Sequence, residues 1–175
     1  MNLERSGLIK FAGKDVTVIG PDITIGQKAP EFTVHTQEWS DFNGITDTRG
    51  KVRIISTLLS LHTSVCDRET RRFNQEATQL DDRIVILTIS MDLPYVLKDW
   101  CAAAGVDRVI TLSDHKNAEF GQKYGVLVKE QRVLRRAVFV VDQNDTVVYS
   151  AYMPAFGVEP NYSEVLDAAR NALTG

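Results

Sequence analysis

Two apolar, β-branched runs, each followed by a helical pattern, constrain this chain more than any other feature. Residues 52–59 (Val-Arg-Ile-Ile-Ser-Thr-Leu-Leu) and 84–89 (Ile-Val-Ile-Leu-Thr-Ile) read as strands buried on both faces. After the first, Val65, Glu69, Phe73, Ala77 and Leu80 recur at helical spacing, which predicts a helix over about 65–80. After the second, residues 93–104 form an amphipathic helix stopped by Gly105. Strand–helix–strand–helix grammar of this kind calls for an α/β architecture, because helices must cover the faces of a sheet that is apolar on both sides.

The flanking segments extend the pattern. Residues 8–11 and 16–19 are β-prone and flank Ala12-Gly13-Lys14-Asp15, which predicts an N-terminal hairpin. Residues 31–36 and 109–112 read as short strands, and 117–124 as a short helix ending at Gly125. Residues 137–141 and 146–152 flank the turn-rich Asp142-Gln143-Asn144-Asp145 as a second hairpin, and 162–173 close as a helix. A mixed central β-sheet flanked by helices follows, in one domain over 1–175 with 1–20 as a hairpin extension. A chain of 175 residues is long enough to bury a core without staples.

Composition serves mainly to exclude. A net charge of −3 disfavours a nucleic-acid binder, and no apolar run reaches the roughly 18 residues of a spanning helix, so neither nucleic acid nor membrane is an expected partner. Arg68, Arg71 and Arg72 alternate with Asp67 and Glu69, the pattern of a solvated helix face. The first residues carry mixed charge and lead into no apolar signal core, so the expected location is cytoplasmic. Thiols stay reduced there, and two cysteines in such a chain point to redox chemistry more than to structural bridging.

Cys66 falls in the first turn of a helix that follows a buried strand, at the carboxyl end of the sheet, where α/β proteins place reactive groups. Unpaired N–H groups and the positive end of the helix dipole favour a thiolate there. Thr63, three residues earlier, suits an N-cap, its hydroxyl accepting from a backbone N–H. Cys101 lies with Leu93, Val96, Leu97, Trp100 and Ala104 on one helical stripe facing the core. An inert buried cysteine remains a reading of either position taken alone.

The stretch T-S-V-C-D-R-E-T-R-R-F-N from Thr63 resembles the peroxidatic loop and helix of the thiol peroxidase branch of the peroxiredoxins. So do Leu87–Pro94 (L-T-I-S-M-D-L-P), W-C-A-A-A-G at 100–105, V-I-T-L-S-D at 109–114 and R-A-V-F-V-V-D at 136–142. The likeness covers almost the whole chain. It implies a thioredoxin-like fold, and a peroxidase of hydrogen peroxide and organic hydroperoxides that uses no cofactor and no metal. In that family's terms Cys66 matches the peroxidatic cysteine and Thr63 its hydrogen-bonding threonine. Arg136 matches the arginine that stabilises the thiolate and the leaving oxygen. Cys101 matches the resolving cysteine, forming an intramolecular Cys66–Cys101 disulfide. Thioredoxin is the implied reductant and a homodimer the implied assembly. Strand alternation sends Arg135 and Arg136 to opposite faces, so one of them enters the site.

Two substrate-pocket positions depart from the family's PxxxTxxC pattern. Leu59 stands where proline is expected, and His62 replaces the usual aspartate. Leucine excludes water without fixing the backbone angle, so a working site with altered rate or selectivity is expected. The histidine reads as a solvent-exposed loop residue. Three other readings compete. A cysteine hydrolase would pair Cys66 with His35, His62 or His115, and a zinc site would need ligand spacing that is absent. A non-catalytic redox sensor or binding module is the third, made conceivable by Leu59. No C-x-x-C of thioredoxin itself occurs, nor GxGxxG or GxxxxGK[ST].

Overall fold

The computed structural model describes residues 2–173. Among them, strands β1 (Glu4–Phe11) and β2 (Lys14–Ile19) are followed by β3 (Thr33–His35), β4 (Asp41–Asn43) and a 3-10 turn at Thr46–Thr48. The central units are β5 (Val52–Thr57), α1 (Ser64–Ala77), β6 (Ile84–Ser90), α2 (Pro94–Ala104) and β7 (Ile110–Ser113). Then come α3 (Glu119–Lys123), β8 (Leu127–Val128), β9 (Val133–Leu134), β10 (Ala137–Val141), β11 (Val147–Tyr152) and α4 (Tyr162–Asn171).

A seven-stranded mixed sheet has the order β11-β10-β5-β6-β7-β3-β4. The two apolar runs lie side by side at its centre, β5 parallel to β6 and β6 parallel to β7. β10 runs antiparallel to β5 and forms with β11 the predicted hairpin. All six residues of β5 are buried, as a central strand covered on both faces requires. Val52 and Ile54 of β5, Ile84 and Ile86 of β6 and Val109 before β7 face the layer of α1, α2 and α4. Ile55, Leu87, Ile89 and Leu112 face the opposite core, where Phe32, Phe120, Tyr124 and Phe139 pack edge-on or stacked.

Local signals account for the boundaries. Ala12 and Gly13 both take positive φ, the geometry of a two-residue hairpin turn. Pro94 opens α2, and Gly105 closes it in the left-handed conformation, its N–H donating to the Cys101 carbonyl. The Asn161 side chain caps α4 by accepting from the Glu164 N–H at 3.2 Å. The hairpin is longer than its apolar half suggests: β1 starts at Glu4, with a register shift between Ser6 and Lys10. It also belongs to a second sheet, β1-β2-β8-β9. Strands β4, β8 and β9 have only two or three residues each, too short to carry a period.

Candidate active site

Cys66 is fully buried in the first turn of α1, in the core shared with Leu58, Leu61, Phe73 and Cys101. The loop that delivers it is fixed from β6–α2. Asp92 accepts from the Ser60 hydroxyl at 2.7 Å, from the Leu61 N–H at 2.9 Å and from the Ser90 hydroxyl at 3.1 Å. Thr63 occupies the N-cap with extended backbone, and its carbonyl accepts from the Asp67 N–H. Its hydroxyl does not make the expected cap bond; it donates instead to the Ser60 carbonyl at 2.9 Å. That choice closes the tight Ser60–Thr63 turn leading into the helix.

Arg136, one residue before β10, is 1 % exposed and points its guanidinium at Cys66. Its Nη2 donates to the Cys66 Sγ at 3.0 Å. The rest of the fork is taken up: Nη1 pairs with Glu69, while Nε and Nη2 donate to the Phe156 carbonyl at 3.2 and 2.9 Å. Glu69 is itself fully buried and accepts from the Ser56 hydroxyl at 2.7 Å. Burial works against the arginine's charge, but the Glu69 carboxylate and the Cys66 sulfur hold its pKa above the ordinary value. Burial pushes the Glu69 carboxyl up, against the pull of Arg136. The sequence puts Glu69 both in the helical series of Val65 and Phe73 and in the charged cluster of Asp67 and the arginines. Arg68, Arg71 and Arg72 are indeed exposed, but Glu69 turns inward, one helical turn from Cys66.

Arg135 leaves on the other face. It pairs with Asp22, donates to the Gly125 carbonyl at 3.0 Å and lies 4.1 Å over the Tyr152 ring. Leu59 is half-buried against the Cys66 core, and His62 is exposed on the loop. His35 pairs with Asp41, and His115 Nδ1 lies 3.0 Å from the Ser113 hydroxyl. Among the described residues no histidine ring is hydrogen-bonded to Cys66, whose side-chain partner is Arg136.

Cys101 is buried near the end of α2, and both cysteines are free thiols. Its Sγ lies 3.4 Å from the Thr111 hydroxyl, which accepts from the Gln37 side-chain amide at 2.7 Å. Burial pushes the Cys101 thiol pKa up, only partly offset by Thr111 and Gln37. A groove of about 540 Å³ lined by Gln37, Lys98, Cys101, Val106 and Val109 opens beside it.

Residues 25–150 match the AhpC/TSA family. The chain belongs to this family, in its thiol peroxidase branch. It is 51% identical over 158 residues to the thiol peroxidase of Oceanobacillus iheyensis, covering 90% of this chain and 95% of that protein. The thiol peroxidase of Bacillus subtilis is 46% identical over 162 residues, 93% of this chain and 96% of its own. The crystal structure of a peroxiredoxin-like protein from Aquifex aeolicus superposes with a TM-score of 0.86 at 32% identity. That match covers 97% of this chain and 98% of the other, and it carries the thioredoxin-like fold expected of the branch. Asp92 and Glu69, which hold the loop and the arginine, are the site residues that the thiol peroxidase motifs alone did not single out.

Proposed function

We propose that in this thiol-dependent peroxidase Cys66 is the residue that attacks peroxide. The observation that carries the reading is the 3.0 Å contact from the Arg136 guanidinium to a buried sulfur at a helix start. A charge-assisted donor at the sulfur favours the anionic nucleophile. The thiolate attacks one peroxide oxygen: an S–O bond forms, the O–O bond breaks, and the departing oxyanion takes up a proton. Arg136, which never deprotonates at working pH, stands where charge shifts from sulfur to oxygen. The products are the Cys66 sulfenic acid and water, or an alcohol from an organic hydroperoxide. The Thr63 hydroxyl, released from the Ser60 carbonyl, would donate to the bound peroxide.

Cys101 resolves this sulfenic acid as an intramolecular disulfide. It stands on α2 with the Thr111 hydroxyl of β7 against its sulfur, so its sulfur has to leave Thr111 to reach Cys66, and the bridge needs the two Cα atoms within roughly 7 Å. Thioredoxin then reduces the bridge, and a homodimer is the assembly proposed. Adding hydrogen peroxide to the protein with thioredoxin, its reductase and NADPH tests this reading. Sustained NADPH oxidation supports it, and a single burst with no turnover contradicts it.

Leu59 packs against the core that holds Cys66, where the family pattern has a proline ring. Leu59→Pro is expected to change the stopped-flow rate at which peroxide oxidises Cys66. An unchanged rate would show that this position has no part in tuning the site.

A further inference from the structure

On the face of the sheet beneath α1 and α2, hydroxyl side chains of three adjacent strands line up in one transverse row, while Ser90 and Ser113 further along the same face are both bonded to Asp92. Ser56 on β5 is in register with Thr88 on β6, and Thr88 with Thr111 on β7. By strand alternation all three share the face of Ile54, Ile86 and Val109, toward the helices that carry Cys66 and Cys101. The ends of the row are occupied. The Ser56 hydroxyl donates to Glu69, which pairs with Arg136 at Cys66, and the Thr111 hydroxyl lies against the Cys101 sulfur. The middle is not: Thr88 is 2 % exposed, and its Oγ1 has no hydrogen-bond partner among the described residues. Burying a hydroxyl without a partner is unfavourable, and valine would fill the same volume on this strand without that cost.

Neighbouring strands lie about 4.8 Å apart, so Ser56 and Thr111 stand roughly 10 Å from one another with Thr88 between them. A Cys101 sulfur leaving Thr111 for the Cys66 site crosses β6. We propose that Thr88 is a positioning residue for disulfide formation, its hydroxyl taking over from Thr111 as the hydrogen-bond partner of the Cys101 sulfur during that crossing. This rests on the assignment of Cys66 and Cys101 above. In the step itself the Cys101 sulfur attacks the sulfenic sulfur, an S–S bond forms and the S–O bond breaks. The thiol proton leaves with the hydroxide as water. One sulfur is oxidised and the other reduced, so no further oxidant is needed. Thr88 supplies no proton and accepts none permanently; it holds the attacking sulfur in line.

Rapid mixing of reduced wild type, Thr88→Val and Thr88→Ser with one equivalent of hydrogen peroxide tests the proposal. Fluorescence of Trp100, adjacent to Cys101, and mass analysis of acid-quenched samples separate sulfenic acid from disulfide. The expected result is an unchanged sulfenic phase in all three. The disulfide phase should be about tenfold slower in Thr88→Val, the worth of one hydrogen bond, and restored in Thr88→Ser. Under excess peroxide the slower variant should accumulate Cys66 sulfinic acid. A wild-type disulfide rate in Thr88→Val overturns the proposal, as does equal slowing in Thr88→Val and Thr88→Ser, which would mark a packing effect. A wild type that forms no Cys66–Cys101 disulfide would contradict the underlying assignment instead, so the two failures are distinguishable.

Discussion

Arg136→Met is expected to slow the oxidation of Cys66 by peroxide roughly 10²–10³-fold, the loss found when one preorganised donor is removed from a developing charge. The side chain is buried and held by Glu69 and the Phe156 carbonyl, so its Nη2 reaches the sulfur without having to order itself during the reaction. Arg136→Lys should recover only a small part of the rate. A single ammonium cannot reproduce a planar fork that meets sulfur, carboxylate and carbonyl together. Stopped-flow oxidation under pseudo-first-order peroxide checks this. A rate within about twofold of wild type in Arg136→Met would remove the arginine from the mechanism.

The second large effect falls on Glu69 and is chiefly one of stability. Glu69→Met leaves a guanidinium buried without its carboxylate, which costs about 3–5 kcal/mol in comparable buried pairs. Reactivity should fall as well, because the fork loses the partner that aims it at Cys66. Replacing both residues by methionine separates the two roles. Buried pairs exchanged for apolar side chains of similar volume are often neutral or stabilising, so the double variant should regain most of the lost stability. Its Cys66 should stay slow, since the donor at the sulfur is gone. Denaturant unfolding and peroxide kinetics on the four-member cycle read both quantities. Recovery of activity in the double variant would contradict this division.

The buried strands were legible because β-branched runs leave few alternatives, and Gly105 marked the end of α2 by the conformation it alone adopts easily. Cys66 was legible from its place at a helix start after such a strand. Arg136 was not separable from Arg135 by burial, since both are nearly inaccessible; alternation divided them and the family motif chose between them. For Glu69 the sequence carries two conflicting signals, because counting it with Asp67 and the arginines treats neighbours in sequence as neighbours in space. The available signal was its position three residues after Cys66 and four before Phe73, on the face that α1 buries. A carboxylate on that face requires a buried cation. The direction of the Thr63 hydroxyl was beyond the sequence, because a cap bond and the Ser60 carbonyl compete within one turn. The hydroxyl row needed strand register, which only the folded sheet supplies.

Cys66 is expected to react first and Cys101 second. Intact mass after one equivalent of peroxide measures it directly. Wild type should lose two hydrogens, Cys101→Ser should hold a trappable sulfenic acid on Cys66, and Cys66→Ser should remain unmodified. Sulfenic acid on Cys101 in the Cys66→Ser protein, formed at the wild-type rate, would contradict the account.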